Sequence, residues 1–177
     1  MGNRWKWKSK TNSKRLIIAI KFLLLINLGF IAFQDFKERQ VLWFFFPTSA
    51  LFFALLHYTQ AISWKIFLYE VITNWLLITC IISILYVYTK LISKKKFMGH
   101  SIGLGDILFF YAFGTGFQTV TFIVLLACSI LFSLFTFLIL KNRLKLKTVP
   151  LAGFMGLFLM VVLAMGEVFN TGLNYGY

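Results

Sequence analysis

Long apolar runs separated by short basic stretches are the feature that most constrains how this chain can fold. Of its 177 residues, 60% are hydrophobic and 13% are charged, whereas soluble domains are typically about 45–50% apolar and about 25% charged. A helix needs roughly 20 apolar residues to cross a bilayer. The pattern therefore predicts an all-α, polytopic membrane protein with about six transmembrane helices.

The apolar runs place the expected spans at residues 16–33, 41–58, 66–88, 106 to 114 or 117, 120–140 and 149–169. Pro47 is a candidate kink in the second span. Residues 1–15 are basic, with two interleaved tryptophans, and are expected to form a partly disordered tail lying on lipid headgroups. Residues 16–177 are expected to form one membrane-embedded domain.

Charge and cysteine usage exclude several classes of function. The formal net charge is +13, but the basic residues cluster between the apolar runs, as in loops that flank membranes. This distribution favours contact with lipids and argues against nucleic acid as a partner. Cys80 and Cys128 both lie inside apolar runs and form no Cys-x-x-Cys pair, which argues against a zinc site and a disulfide framework. No cofactor or metal is expected, and the oligomeric state is left open.

The order of crossings places the loops after the first, third and fifth spans on one face of the membrane. These loops hold ten lysines and arginines, whereas the loops on the other face hold only Lys65. The positive-inside bias makes the first face cytoplasmic. The six positive charges of the tail fall on the opposite face and oppose this assignment.

Five acidic residues are divided by this topology. Asp35 and Asp106 share the predicted cytoplasmic face, while Glu70 and Glu167 fall near the other one. Glu38 competes with Asp35 as a partner for Asp106, but Asp35 directly follows the first apolar run, where helix packing can fix it. A carboxylate at the edge of a membrane span suggests a function, although Asp106 can also be read as a helix cap after a glycine turn.

Two motifs carry a resemblance to a known family. They are Asp35-Phe36-Lys37-Glu38-Arg39 after the first span and Gly103-Leu104-Gly105-Asp106 before the fourth, with further matches at Met98-Gly99, Gly114, Gly116 and Val149-Pro150-Leu151-Ala152-Gly153. This pattern resembles the type IV prepilin peptidases, membrane aspartyl proteases of the Gly-x-Gly-Asp class. The resemblance covers nearly the whole chain.

The resemblance implies roles for five residues. Asp35 and Asp106 would be the catalytic pair. Arg39, at the family's arginine position, would bind substrate together with Gly103 and Gly105, which would let a substrate strand approach Asp106. Substrates would be pilin-like or pseudopilin precursors, cleaved at the cytoplasmic face of a bacterial or archaeal membrane. The chain departs from the family pattern at Val41-Leu42-Trp43, where Ile-Pro-Asn is usual, and at Leu108, where lysine is frequent. It also lacks the cysteine-bearing domain that accompanies N-methylation, so no methyltransfer is expected.

Paired carboxylates suit peptide hydrolysis because two close negative charges are costly, so the pair is expected to share one proton near neutral pH. The ionised member would take a proton from the attacking water, and the protonated member would hydrogen-bond the scissile carbonyl. The alternative is a non-catalytic assembly or transport component, with Asp35, Glu38 and Asp106 forming a cation or proton site. Lys37 and Arg39 can also be read as interfacial anchors, and His100 as a solvated loop residue.

Overall fold

A computed structural model describes residues 3–38, 41–93, 103–144 and 150–168, with the backbone alone at 3–14, 92–93, 141–144 and 167–168. Within these residues the chain forms six α-helices and one short π-helical segment, with no strand. They are α1 (Asn3–Glu38), α2 (Phe45–Gln60), α3 (Trp64–Tyr88), the π-helical Thr89–Ser93, α4 (Leu104–Gly114), α5 (Thr119–Leu144) and α6 (Leu151–Val168). The all-α prediction is confirmed.

Three helices contain segments long and apolar enough to cross a membrane: Arg15–Glu38, Trp64–Leu91 and Thr119–Leu140. Segments Leu104–Gly114 and Leu151–Gly166 are apolar but shorter. The six helices lie where the six apolar runs are, and three of them reach the length and hydropathy of a full span by themselves.

Three helix boundaries differ from the expectation: the start and the end of α1, and the start of α2. The first helix begins at Asn3, so residues 3–15 continue α1 where partial disorder was expected. It also continues into a polar patch of the sequence, residues 34–40, as far as Glu38, which puts Asp35 on its last turn. Pro47 lies in the first turn of α2, where a missing N–H costs no intrahelical hydrogen bond. Pro47 therefore marks the start of α2 and not the kink within the helix that was expected.

Packing between helices defines the two ends of the bundle. Along α1 and α6, Asp35 lies against Gly153 and Leu28 against Gly156, so these two helices are antiparallel. Along α2 and α4, Phe46 lies against Gly105 and Phe53 against Phe113, so these two are parallel. The end of α1 and the starts of α2, α4 and α6 therefore share one end of the bundle.

Aromatic rings fill the centre between these helices. Phe113 contacts Phe53, Phe117 and Phe122 at ring-centroid distances of 6.3, 5.5 and 5.3 Å. All four rings are buried, and Phe113 is fully so. A cluster of this kind anchors α4 against α2 and the start of α5. Other phenylalanines, such as Phe22 and Phe135, point outward, as expected for lipid-facing side chains.

Candidate active site

Asp35 is buried because it extends the apolar stripe of α1. Leu24, Leu28 and Ile31 are fully buried, and Asp35 follows four residues after Ile31 on the same side of the helix. Only 9% of Asp35 is exposed. Its Oδ2 accepts a hydrogen bond of 2.7 Å from the backbone N–H of Gly153. The last turn of α1 therefore directs a carboxylate at the start of α6.

Asp106 bonds to the starts of two helices. It lies in the first turn of α4, where its Oδ2 accepts from the N–H of Gly103 at 3.3 Å. Its Oδ1 accepts from the N–H of Ala152 at 3.0 Å. The capping interpretation of Asp106 is thus correct as local structure. The second bond, to a residue 46 positions away, is one that capping of α4 does not require.

The two carboxylates meet on neighbouring residues of α6. Ala152 and Gly153 lie in its first turn, where backbone N–H groups have no intrahelical acceptor. The start of a helix also carries partial positive charge, which stabilises carboxylates. One helix end therefore holds Asp35 and Asp106 side by side despite the charge that each carries when ionised.

The glycines near these carboxylates provide space. At Gly103 a Cβ would lie 3.2 Å from Asp106 Oδ2, and at Gly105 it would lie 3.3 Å from Phe46 Cζ. The φ of Gly103 is −74°, an angle open to any residue, so its conformation does not demand glycine. Gly105 permits the close approach of α4 to α2. The substrate-contacting role assigned to both glycines stays a prediction.

Gly153 is a site residue whose role the sequence did not reveal. A Cβ there would lie 3.0 Å from Asp35 Oδ2 and 3.2 Å from Asp35 Cβ. The available signal was local, since buried Pro150 precedes an apolar run and marks a helix start with unpaired N–H groups. Which side chains would use those groups depends on contacts across 118 positions of sequence.

The remaining predicted residues contribute differently. Arg39 and His100 lie outside the described residues. Glu38 is exposed on the last turn of α1. Lys37 places its Nζ 5.7 Å from the centre of the Phe33 ring, a cation–π contact within its own helix that fits an interfacial anchor. The side chain of Glu167 is not among those described.

Glu70 lies at the other end of the bundle, as crossing order predicted. Its Oε2 is 2.8 Å from His57 Nε2, and His57 Nδ1 is 3.0 Å from the carbonyl of Thr115, just beyond the end of α4. Asp106 is at the start of α4, and the nine residue steps from Asp106 to Thr115 correspond to about 14 Å of helix. Glu70 therefore cannot act with the Asp35–Asp106 pair.

Among the described side chains, no group of three or more His, Cys, Asp or Glu residues is placed to hold a metal ion. Comparisons with protein-family models, with curated proteins and with solved structures gave no match. A functional proposal for this protein therefore rests on the two carboxylates bound at the start of α6.

Proposed function

We propose that this protein is a membrane aspartyl endopeptidase, similar to the prepilin peptidases, and that Asp35 and Asp106 activate water between them. One observation carries the proposal: the two carboxylates accept hydrogen bonds from the neighbouring amides of Ala152 and Gly153. Two aspartates so close in apolar surroundings favour a state in which they share one proton. That state contains both a base and an acid.

The pair performs hydrolysis without a covalent intermediate. The ionised carboxylate takes a proton from water while the water oxygen bonds to the scissile carbonyl carbon. The protonated carboxyl donates a hydrogen bond to the carbonyl oxygen. When the C–N bond breaks, a carboxyl proton passes to the leaving nitrogen. The pair again holds one proton, and the amides of α6 keep both carboxylates in position throughout.

The substrate class follows from the position of the site and from the family resemblance. Both carboxylates lie at one end of a bundle built from apolar helices, and in this proposal a peptide that emerges from the membrane reaches them there. We propose precursors with a short leader followed by an apolar helix, of the type IV pilin or pseudopilin kind. The cut would fall at the cytoplasmic face, and no methyl transfer would follow.

The proposal is tested with purified protein and a synthetic precursor peptide containing a leader and its apolar segment. Mass spectrometry should find one cut at the boundary between the two. Asp35→Asn and Asp106→Asn each keep an oxygen that accepts the α6 N–H but lose the ionisable group, so each should slow cleavage by about 10³-fold or more. Exposed Glu38→Gln removes a neighbouring charge and should cleave like the parent.

Cleavage by either Asn variant at the parental rate would refute the proposal. The alternative function gives a different pattern, in which neither the parent nor Glu38→Gln cuts the peptide. If added cations or a change of pH then shift the stability of the parent but not of Asp106→Asn, the pair is a non-catalytic ion or proton site.

A further inference from the structure

A second polar cluster lies at the end of the bundle opposite to Asp35 and Asp106. It joins α2, α3 and the turn after α4 through His57, Glu70, Asn74 and Thr115. His57 is 2% exposed and Asn74 is completely buried, while the side chain of Glu70 is 17% exposed. Polar side chains buried this deeply in an apolar bundle are costly unless they are bonded to each other and to further partners.

The hydrogen bonds of His57 fix how many protons its ring carries. A backbone carbonyl only accepts, so the 3.0 Å contact with Thr115 requires a hydrogen on Nδ1. The 2.8 Å contact between Nε2 and Glu70 Oε2 requires a second hydrogen between those atoms, because two lone pairs at that distance would repel. A neutral ring beside an ionised Glu70 cannot make both contacts.

The surroundings place this second hydrogen on the imidazole. The carbonyl groups at the end of α4 carry partial negative charge, which stabilises a cation there. The rings of Phe67 and His57 pack in a T-shaped arrangement with 5.1 Å between their centroids. The Thr115 hydroxyl is already bonded to the carbonyls of Ala50 and Ala112.

The other titratable groups of the packed helices near the pair are few. On α2 the next residue is Tyr58, whose exposed ring contacts Phe67 and Trp64. Lys65 and Tyr69 lie on the first turns of α3 and are exposed. The turn after α4 contributes no titratable side chain from Thr115 to Gln118. Glu70 is therefore the one carboxylate that these described segments supply to His57.

We propose that His57, Glu70 and the Thr115 carbonyl form a proton-binding site in which His57 is a doubly protonated imidazolium. The bound proton closes a bridge from α2 to α3 and to the end of α4. When the proton leaves, Nε2 faces the carboxylate with a lone pair, and that bridge opens. This site is separate from the proposed peptidase site and does not depend on it.

Nitrogen-15 NMR of histidine-labelled protein in detergent at neutral pH tests the proposal. The chain has two histidines, so His100→Gln leaves a spectrum of His57 alone. Both ring nitrogens of His57 should carry hydrogen, in a signal distinct from that of a neutral ring. A neutral His57, or one without hydrogen on Nδ1, would overturn the assignment, and this result needs no variant at the pair itself.

Glu70→Gln supplies the second arm. A glutamine amide can donate to an unprotonated Nε2, so the contact survives without the extra proton. His57 should then become a neutral ring that keeps its hydrogen on Nδ1, whereas Glu38→Gln should leave the imidazolium signal unchanged. An imidazolium that persists in Glu70→Gln would show that Glu70 does not hold the proton.

Discussion

Asp35 and Asp106 each accept a hydrogen bond from a backbone N–H of α6. This arrangement has a chemical advantage, because the N–H groups of a helix start neither titrate nor change rotamer. The donor that holds Asp35 belongs to a glycine whose missing Cβ leaves room for the carboxylate. The geometry of the pair thus depends on Gly153 as much as on the aspartates.

Gly153→Ala tests this dependence. The added methyl would lie 3.0 Å from Asp35 Oδ2, so the carboxylate must move away from the N–H that holds it. Displacement of a reacting group by about 1 Å can cost about 100-fold in rate. A 3.0 Å contact demands a smaller shift than this, so we expect kcat/KM for precursor cleavage to fall by about 10-fold while the protein stays folded, as judged by its melting temperature.

Gly156→Ala is the matched control for this change. It adds the same methyl one turn later on α6, where the nearest atom is the Leu28 carbonyl oxygen at 3.6 Å, an ordinary contact. Its cleavage rate should stay near that of the parent. Equal activity losses in the two variants would show that α6 is generally intolerant and that Gly153 has no particular role in placing Asp35.

At the scale of elements, α4 is short, and both of its ends are bonded to other helices. It has 11 residues, too few for an isolated helix to be stable in water. Its start bonds Asp106 to α6, and its end is held by side chains of α2 and α3. The position of Asp106 therefore depends on contacts at the far end of the same helix.

Asn74 makes two of these far contacts. Its amide donates to the carbonyls of Gly114 and Phe117 at 2.9 and 2.8 Å. A buried carbonyl left without a donor costs about 1–3 kcal/mol. Asn74→Ala should therefore lower the free energy of unfolding in detergent by about 2–5 kcal/mol, with hydrogen-bond losses as the principal cause.

Thr73→Ala is the comparison for Asn74→Ala. The Thr73 hydroxyl bonds only to the carbonyl of Tyr69 within the same helix among the hydrogen bonds described. Its loss should change the free energy of unfolding by less than about 1 kcal/mol. If Asn74→Ala proves as mild as Thr73→Ala, the bonds to the turn after α4 contribute little to stability.

Close contact at Gly116 gives a second prediction for this turn. A Cβ there would lie 2.5 Å from Phe53 Cδ1 and 3.0 Å from Phe53 Cβ, so the whole ring would have to move. We expect Gly116→Ala to cost about 1–3 kcal/mol of unfolding free energy. Gly29→Ala meets only the flexible tip of Met160 at 3.7 Å and should be tolerated, and equal losses in both would contradict the packing described.

At the scale of the whole molecule, the two polar sites lie at opposite ends of an apolar bundle. In the sequence, most basic residues outside the N-terminal tail follow the first, third and fifth apolar runs, so the positive-inside bias predicts that the end holding Asp35 and Asp106 faces the cytoplasm. The proposed orientation can be measured with cysteines at exposed positions near each end, Lys37 on α1 and Ile62 between α2 and α3.

In a background with Cys80 and Cys128 changed to serine, a membrane-impermeant maleimide should label Ile62→Cys on intact cells. Lys37→Cys should react only after the cells are permeabilised. The reverse pattern would place the aspartates outside, and labelling of both from one side would contradict the separation of the two bundle ends.

The pattern of apolar runs was enough to predict the helical class and the positions of the helices, because the hydrophobicity of each run is a local property of the sequence. Crossing order also placed Glu70 away from Asp106. The end of the first helix was predicted wrongly, because the polar patch after the first run indicated a loop, whereas α1 continues to Glu38. Asp35 and Phe36 contact Gly153 and Phe154 of α6, and such tertiary contacts cannot be predicted from local sequence.

The details of the two sites lay beyond the sequence for a related reason. Sequence reasoning paired Asp35 with Asp106, but the amides that hold them belong to a helix that starts more than 40 residues after Asp106. The role of His57 could not be predicted, because a single histidine in an apolar run forms no motif with a characteristic spacing. Its partner Glu70 lies on another helix, and only packing brings the two together.

We propose that Asp35 and Asp106 act as one catalytic unit, and a double-mutant measurement of kcat/KM distinguishes such a unit from two independent groups. Asp35→Asn, Asp106→Asn and the double variant would be compared on one precursor peptide. Residues that work as a unit lose nearly all activity on the first substitution, so the double variant should be no slower than either single variant. Substantial cleavage by either single variant, or losses that multiply in the double variant, would contradict the claim.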